Sequence, residues 1–268
     1  SEFWAKMNQA VWDSTFFLLA GKMYAIFAML FGLSFFNQHD NQAQRGVDFR
    51  PRFFWRMILL MLFGLFDLMF YNGDILFIYA VCGVLVIPFI RASNKVLVIT
   101  ALFLMMQPVE LFYIFKGICD PSTLPLDLGS AKCYGAIYDA TANGSLWDVH
   151  LAGVRHGLPA NILWAIENGR MTQTVCFFLF GILLGRRRLF YNEGNNLVIW
   201  KKVLKGALIA FVFLLPAYYL VPKITEVKCI SNSLNVMFNM WKNVSMMLII
   251  VSGVTLLYYN TSVLFFSS

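Results

Sequence analysis

Apolar residues run along the chain in seven long blocks, roughly 13–36, 53–71, 74–90, 96–116, 171–187, 203–221 and 236–258, with shorter polar stretches between them. Each block approaches the roughly 20 residues that an α-helix needs to cross a bilayer, and backbone groups in lipid find partners only within a helix. The pattern predicts an all-α fold: a single polytopic transmembrane helical bundle of about seven spans. The third block is short and carries Pro88 near its end. The fifth is also short and is expected to reach back toward Pro159 as one long helix. The one sizeable polar element, 117–170, contains Pro121, Pro125 and Pro159 and reads as an outer-face loop or cap. Within it Leu146, Val149, Leu151, Val154 and Leu158 recur at rough helical spacing, a pattern that fits a helix lying along the membrane interface. An ordinary loop packed on the bundle is the simpler reading.

Composition sharpens this picture. Of 268 residues, 59% are hydrophobic and only 13% are charged, whereas a soluble domain carries about a quarter charged residues. Twenty-seven phenylalanines suit a lipid-facing exterior. The net charge of +7 falls at the ends of the blocks, which favours topology and anionic lipid headgroups. Nucleic acid is not an expected partner, because no basic, aromatic-interleaved soluble segment exists. If the first block runs from outside to inside, 12 of the 21 Lys and Arg fall in three short inner loops, at 45–56, 91–95 and 186–205. The positive-inside rule then places the visible N-terminus outside and the C-terminus inside a bacterial inner (cytoplasmic) membrane. The turn Tyr71-Asn72-Gly73-Asp74 faces outward in that arrangement. The first residues lack both a signal-peptide pattern and an initiator Met, and the chain is expected to be cut from a longer one.

Cys82 and Cys176 lie inside blocks as small apolar fillers, while Cys119, Cys133 and Cys229 fall on the outer side, where a Cys119–Cys133 disulfide is one possibility. No Cys/His spacing resembles a zinc site. Asn143-Gly144-Ser145 is a glycosylation sequon that matters only in a eukaryotic secretory route.

The most informative residues are the ionisable ones inside the blocks. A charged side chain at a helix centre costs roughly 2.5–3.5 kcal/mol on insertion scales, so it pairs or faces water. Lys22, Asp67, Asp74, Gln107 with Glu110, and Glu167 with Arg170, Gln173 and Thr174 all fall toward the same side of the predicted bundle. Singly, each has a bland explanation: Lys22 snorkels, Asp74 caps a helix, Glu110 is simply wet. Together they predict a hydrated pocket open to the outer face, with a Lys22–Asp67 ion pair inside it. Among smaller signals, Pro108 is expected to bend the fourth block beside Gln107 and Glu110, and Gly181-Ile182-Leu183-Leu184-Gly185 permits close helix contact. Of the histidines, His156 is the best placed for a catalytic role, although a surface position explains it more simply.

Several of these residues fall in motifs. Gly21-Lys22-Met23-Tyr24, continuing through Phe27 and Leu30-Phe31-Gly32 to Phe35, resembles the "GKFYxxFSxLFGxGF" signature of the YeiB-like bacterial membrane proteins, a domain of unknown function. Arg56, Gly64 and Gly73-Asp74-Ile75-Leu76-Phe77-Ile78-Tyr79-Ala80 resemble that family's "R…G…GDILxxYA" segment, and Gly181 with Gly185-Arg186-Arg187-Arg188-Leu189-Phe190 resembles its later "FLxGxxxGRxxxF" segment. Such proteins begin with a further helix bearing an Asp and an Arg-Gly pair, so the resemblance implies that a preceding span is missing here. Many also carry a His after the glycine of the second span, where this chain has Asp67. The family is similar, more distantly, to transmembrane acyltransferases that modify sugars. That likeness implies transfer of an acyl group, with acyl-CoA as a possible donor and no other cofactor evident, to an acceptor at the outer face. Asp67, Lys22 and Asp74 are then the catalytic candidates. Glu110, Gln107, Arg170, Glu167 and Arg56 are the substrate-binding ones, with Arg56 and the inner basic loops attracting an anionic donor or lipid. A small-molecule transporter using the same polar cluster and a non-catalytic membrane component remain alternatives; against the transporter, no inverted repeat or pair of broken helices is visible.

Overall fold

The computed structural model describes the backbone of residues 2–19, 21–71 and 73–266 and the side chains of 4–15, 21–71 and 73–260. Asn72 of the 71–74 turn, and Ser1, Ser267 and Ser268, lie outside the described residues. Everything regular among the described residues is helical.

The apolar blocks and the helices coincide only in part, and the differences have local causes. The first block is divided. Helix α1 (Glu2–Leu19) and helix α2 (Lys22–Ala43) are separated at Gly21, whose φ of 77° is left-handed. Lys22 therefore opens a helix instead of sitting inside one. Helix α3 (Phe49–Asp67) starts at Asp48, whose side chain accepts the Arg50 amide at 3.0 Å. The Arg50 guanidinium also bonds this carboxyl and holds its pKa down at about 2. Helix α4 (Leu76–Val86) tightens into a 3₁₀ turn, Ile87–Arg91, at Pro88. The fourth block is two helices, α5 (Asn94–Met105) and α6 (Pro108–Cys119), bent by 43°. Proline at 108 disfavours a right-handed helical conformation in the residue before it, and Gln107 takes φ 53°.

The 117–170 element is largely helical: α7 (Ser130–Asn143), α8 (Leu146–Ala152), a π-helical turn at Gly153–Gly157 and α9 (Leu158–Glu167). A capping box between Ser145 and Asp148 begins α8. The expected continuous helix from Pro159 onward does not form. Gly169, at φ 62°, ends α9 and starts helix α10 (Arg170–Arg186). Helix α11 (Asn196–Leu220) ends in a 3₁₀ turn at Val221–Lys223, and α12 (Lys228–Phe266) completes the chain.

Among the described residues two stretches are long and apolar enough to cross a membrane, Asn196–Lys223 and Lys228–Asn260, or three if the bent pair α5–α6 counts as one. That is fewer than the seven expected. The others fall short for visible reasons. Helix α10 has 17 residues, α4 has 11, α3 carries Arg50, Arg52 and Arg56, and α2 begins on Lys22 and ends in a polar turn.

Helix α10 occupies the centre and packs on α2, α4, α5 and α9, while α12 lies against α2, α6 and α11. The α2–α10 contact is made backbone to backbone. A Cβ on Gly32 would collide with the Phe178 carbonyl, and one on Gly181 with the Met29 carbonyl. Around it Phe31 stacks on Phe178 at 4.6 Å, and Phe35, Phe53, Tyr79 and Ile182 fill the core. All five cysteines are free thiols, so Cys119 and Cys133 are not bridged. At the end remote from α7–α9, Arg186 donates to the carbonyls of Ile90 (2.8 Å) and Ala92 (2.7 Å) and to Asn94 Oδ1 (2.8 Å), clasping α10 to the α4–α5 junction. Large apolar side chains, among them Phe63, Ile99, Phe115, Phe213 and Leu257, project outward around the bundle.

Candidate functional site

Helices α7 and α9 fold over one end of α2, α4 and α10 and enclose a cavity of about 560 Å³. Tyr24 comes from α2, Asp74 and Ile78 from the approach to α4 and its first turns, Tyr134, Ile137 and Tyr138 from α7, Asn161 and Trp164 from α9, and Arg170 from the start of α10. Phe70, Tyr71 and Gly73 complete the wall, so aromatic rings make up much of it.

Two charged residues of opposite sign face this space. Asp74 precedes α4, and its Oδ1 accepts the Leu76 amide at 3.1 Å, as a residue at a helix start does. Its Oδ2 is buried with no hydrogen-bond partner among the described residues. The Arg170 guanidinium lies over two rings, 5.1 Å from the centroid of Tyr24 and 5.6 Å from that of Trp164. Its one side-chain hydrogen bond is to Gln173 Oε1 at 3.3 Å, and no carboxylate lies within ion-pair distance of it among the described residues. A chain of hydroxyls fixes this corner. Tyr79 donates to the Tyr24 carbonyl at 2.8 Å, and the Tyr24 hydroxyl meets Thr174 and the Arg170 carbonyl. Asn161 donates to the Asp74 carbonyl at 2.7 Å, while its own Oδ1 is buried and unmatched. Burial, then the neighbouring Tyr138 and Tyr71, raise the pKa of the Tyr134 phenol above its ordinary value, so it stays a neutral donor on the cavity wall.

The remaining predicted residues are not brought to this cavity. Asp67 ends α3 and does not pair with Lys22. The displacement of Lys22 to the start of α2 explains the missing pair. Lys22 is buried beside the cavity floor at Gly21, and Asn243 and Lys242 of α12 are its neighbours there. Gln107 and Glu110 form a second buried group at the α5–α6 break. The Gln107 amide lies 2.7 Å from Met240 Sδ and its oxygen lies against Gly169, so the two helix breaks face each other. Glu110 faces Ser233 of α12, with one oxygen unmatched. Arg56 lies in the first half of α3, away from the cavity lining, and is bonded to Gln38. His156 sits in the π-helical turn and is not among the residues lining the cavity.

Glu167 has a different task from the binding role expected of it. One oxygen accepts the amides of Leu128 (2.6 Å) and Ser130 (3.2 Å), and the other bonds the Ser130 hydroxyl. A carboxylate at the start of α7 is favoured by the free amides and dipole there, and here it ties the cap to α9. Glu167→Ala is expected to raise amide hydrogen exchange at 128–134 by about tenfold, since such a cap contributes about 1–2 kcal/mol. Unchanged exchange there would remove the latch.

Sequence reasoning passed over Tyr24, Asn161, Trp164, Lys242 and Asn243. The last two could have been found, because Lys242 stands inside an apolar block just as Lys22 does. Asn161 could not, because its segment reads as loop. Among the described residues no three His, Cys, Asp or Glu side chains gather as a metal site.

No family model matches the chain, and no solved structure matches it. Two curated relatives are similar to parts of it. The uncharacterized 39.9 kDa protein in the amylase 3′ region of Bacillus acidopullulyticus is 31% identical over 91 residues, 34% of this chain and 26% of that protein. The uncharacterized protein YxaH of Bacillus subtilis (strain 168) is 30% identical over 102 residues, 38% of this chain and 25% of that protein. The chain thus matches about a quarter of the length of each relative, and neither name assigns an activity.

Proposed function

We propose that this chain belongs to a multi-pass inner-membrane protein in which α2, α3, α4, α5–α6, α10, α11 and α12 cross the bilayer, with the cap outside and the Arg186 end inside. The outward-facing apolar side chains support this, above all on α11, where only 6% of the apolar stretch is buried within the fold. Exposed apolar surface on that scale needs a non-aqueous neighbour. The three basic loops support the orientation. The motif likeness to YeiB-like proteins supports an acyl-transfer activity, with the cavity under the cap as the acceptor site and the inner basic loops drawing in an anionic donor such as acyl-CoA.

In this reading Asp74, not Asp67, is the general base. The observation that carries it is that Asp74, a buried carboxylate, is among the residues lining the cavity, whereas Asp67 is not. Its carboxylate takes the proton of an acceptor hydroxyl; the hydroxyl oxygen attacks the acyl carbonyl, the carbon–sulfur bond breaks and the thiolate leaves. Arg170 positions the acceptor. The test is acyl transfer by purified full-length protein supplied with acyl-CoA and polyol acceptors. No donor turnover above that of empty micelles would reject the reading.

A transporter is the second reading, and one feature favours it. The break at Gln107, within the bent pair α5–α6, faces Gly169 at the start of α10 and lies beside buried Glu110; transporters use such helix breaks for substrate and ion sites. One broken span, invisible in the hydropathy pattern, is therefore present among the described residues. Uptake into proteoliposomes without acyl transfer would decide for it.

A further inference from the structure

The cavity under the cap sets a guanidinium without a carboxylate partner among the described residues beside aromatic walls, and the two together define its ligand. Arg170 presents a guanidinium fork with one weak acceptor and no carboxylate partner among the described residues. A partly buried guanidinium without a counter-ion is costly, and its planar fork fits a bidentate oxyanion. It also marks the first turn of the 17-residue helix α10, whose free amides favour negative charge. Beside Arg170 the walls are the rings of Tyr134, Tyr138 and Trp164, suited to the C–H faces of a polyol. Asp74 and Asn161 also line the cavity, but Asp74 Oδ2 and Asn161 Oδ1 have no surface open to it, and Asp74 Oδ2 packs toward Gly64 of α3. A ligand that fits offers an oxyanion at one end and a polyol body at the other.

We propose that the cavity binds a phosphorylated polyol, with its phosphate on Arg170 and its carbon skeleton against the rings of Tyr134, Tyr138 and Trp164. This rests on the cavity being the acceptor site, and it names the acceptor's chemical class: a glycerol- or sugar-phosphate. The compound is either a lipid headgroup or a free metabolite.

The experiment is calorimetric titration of the full-length protein in polyoxyethylene micelles free of phosphate. The probes are sn-glycerol 3-phosphate and glucose 1-phosphate, each against its unphosphorylated parent. The phosphorylated probe is expected to bind at least about tenfold more tightly than its parent. Arg170→Lys, which keeps the charge and loses the fork, is expected to shrink that margin. Equal affinity of phosphorylated and parent compounds for the unaltered protein overturns the proposal, and that comparison needs no variant. Phosphatidylglycerol added to the micelles distinguishes the sources. Displacement of the probe assigns the site to a headgroup, and no displacement assigns it to a soluble compound. Binding needs no donor, so the two readings fail separately. Phosphate-selective binding without acyl transfer removes the transferase, whereas transfer to plain glycerol with no preference for phosphate removes the phosphate site.

Discussion

Alanine at Gly181 is expected to destabilise the bundle by about 3 kcal/mol, or roughly 6–12 °C in melting temperature for a chain of this size. The new methyl group would point into the Met29 carbonyl and the backbone around Gly32, where no side chain can rotate away. Relief requires α2 and α10 to separate, and separation opens a layer that includes Phe31, Phe178 and Ile182. Gly32→Ala places its methyl against the Phe178 backbone and should behave alike. Gly206→Ala is the matched control. Gly206 lies in α11 with nothing within 4 Å of the place its methyl would take, so alanine there should be neutral or stabilising by up to about 1 kcal/mol. A Gly181→Ala protein that melts with the parent would show that the helices do not touch as described.

Asparagine at Asp74 is expected to lower kcat for acyl transfer by about 100-fold or more, the usual contribution of a positioned general base, with little change in KM. The exchange is nearly isosteric, and the amide oxygen can still accept from Leu76, so the start of α4 should hold and the melting temperature should stay close to that of the parent. Asp67→Asn should cost much less, because Asp67 does not line the cavity. Parent-like turnover in Asp74→Asn would end the role assigned to it, and a greater loss in Asp67→Asn would return that role to Asp67.

The helical character of the chain was legible from hydropathy alone, as were α11 and α12, where the apolar run is long. What hydropathy could not show was where helices stop. Gly21 and Gly169 end helices by adopting positive φ, and a glycine in an apolar run gives no sign of which conformation it will take. Misplacing the first break put Lys22 inside a span and produced the ion pair with Asp67 that does not form. The Pro108 bend was visible because proline constrains its predecessor whatever the context. Asp74 and Arg170 were legible as site residues because charge in an apolar setting is costly wherever the fold puts it. Glu167 was legible as unusual but not as a latch, since its partners, Leu128 and Ser130, come from a stretch without periodicity.

The glycine contact between α2 and α10 also determines which parts can move. Packed helices slide by letting interdigitated side chains hop between rotamers, as in shear motions; two backbones in direct contact have no such layer to lubricate them. With Arg186 pinning the opposite end of α10, these two helices form a stator. Any movement that admits a compound to the cavity therefore falls to the helices of the cap, not to the frame beneath it.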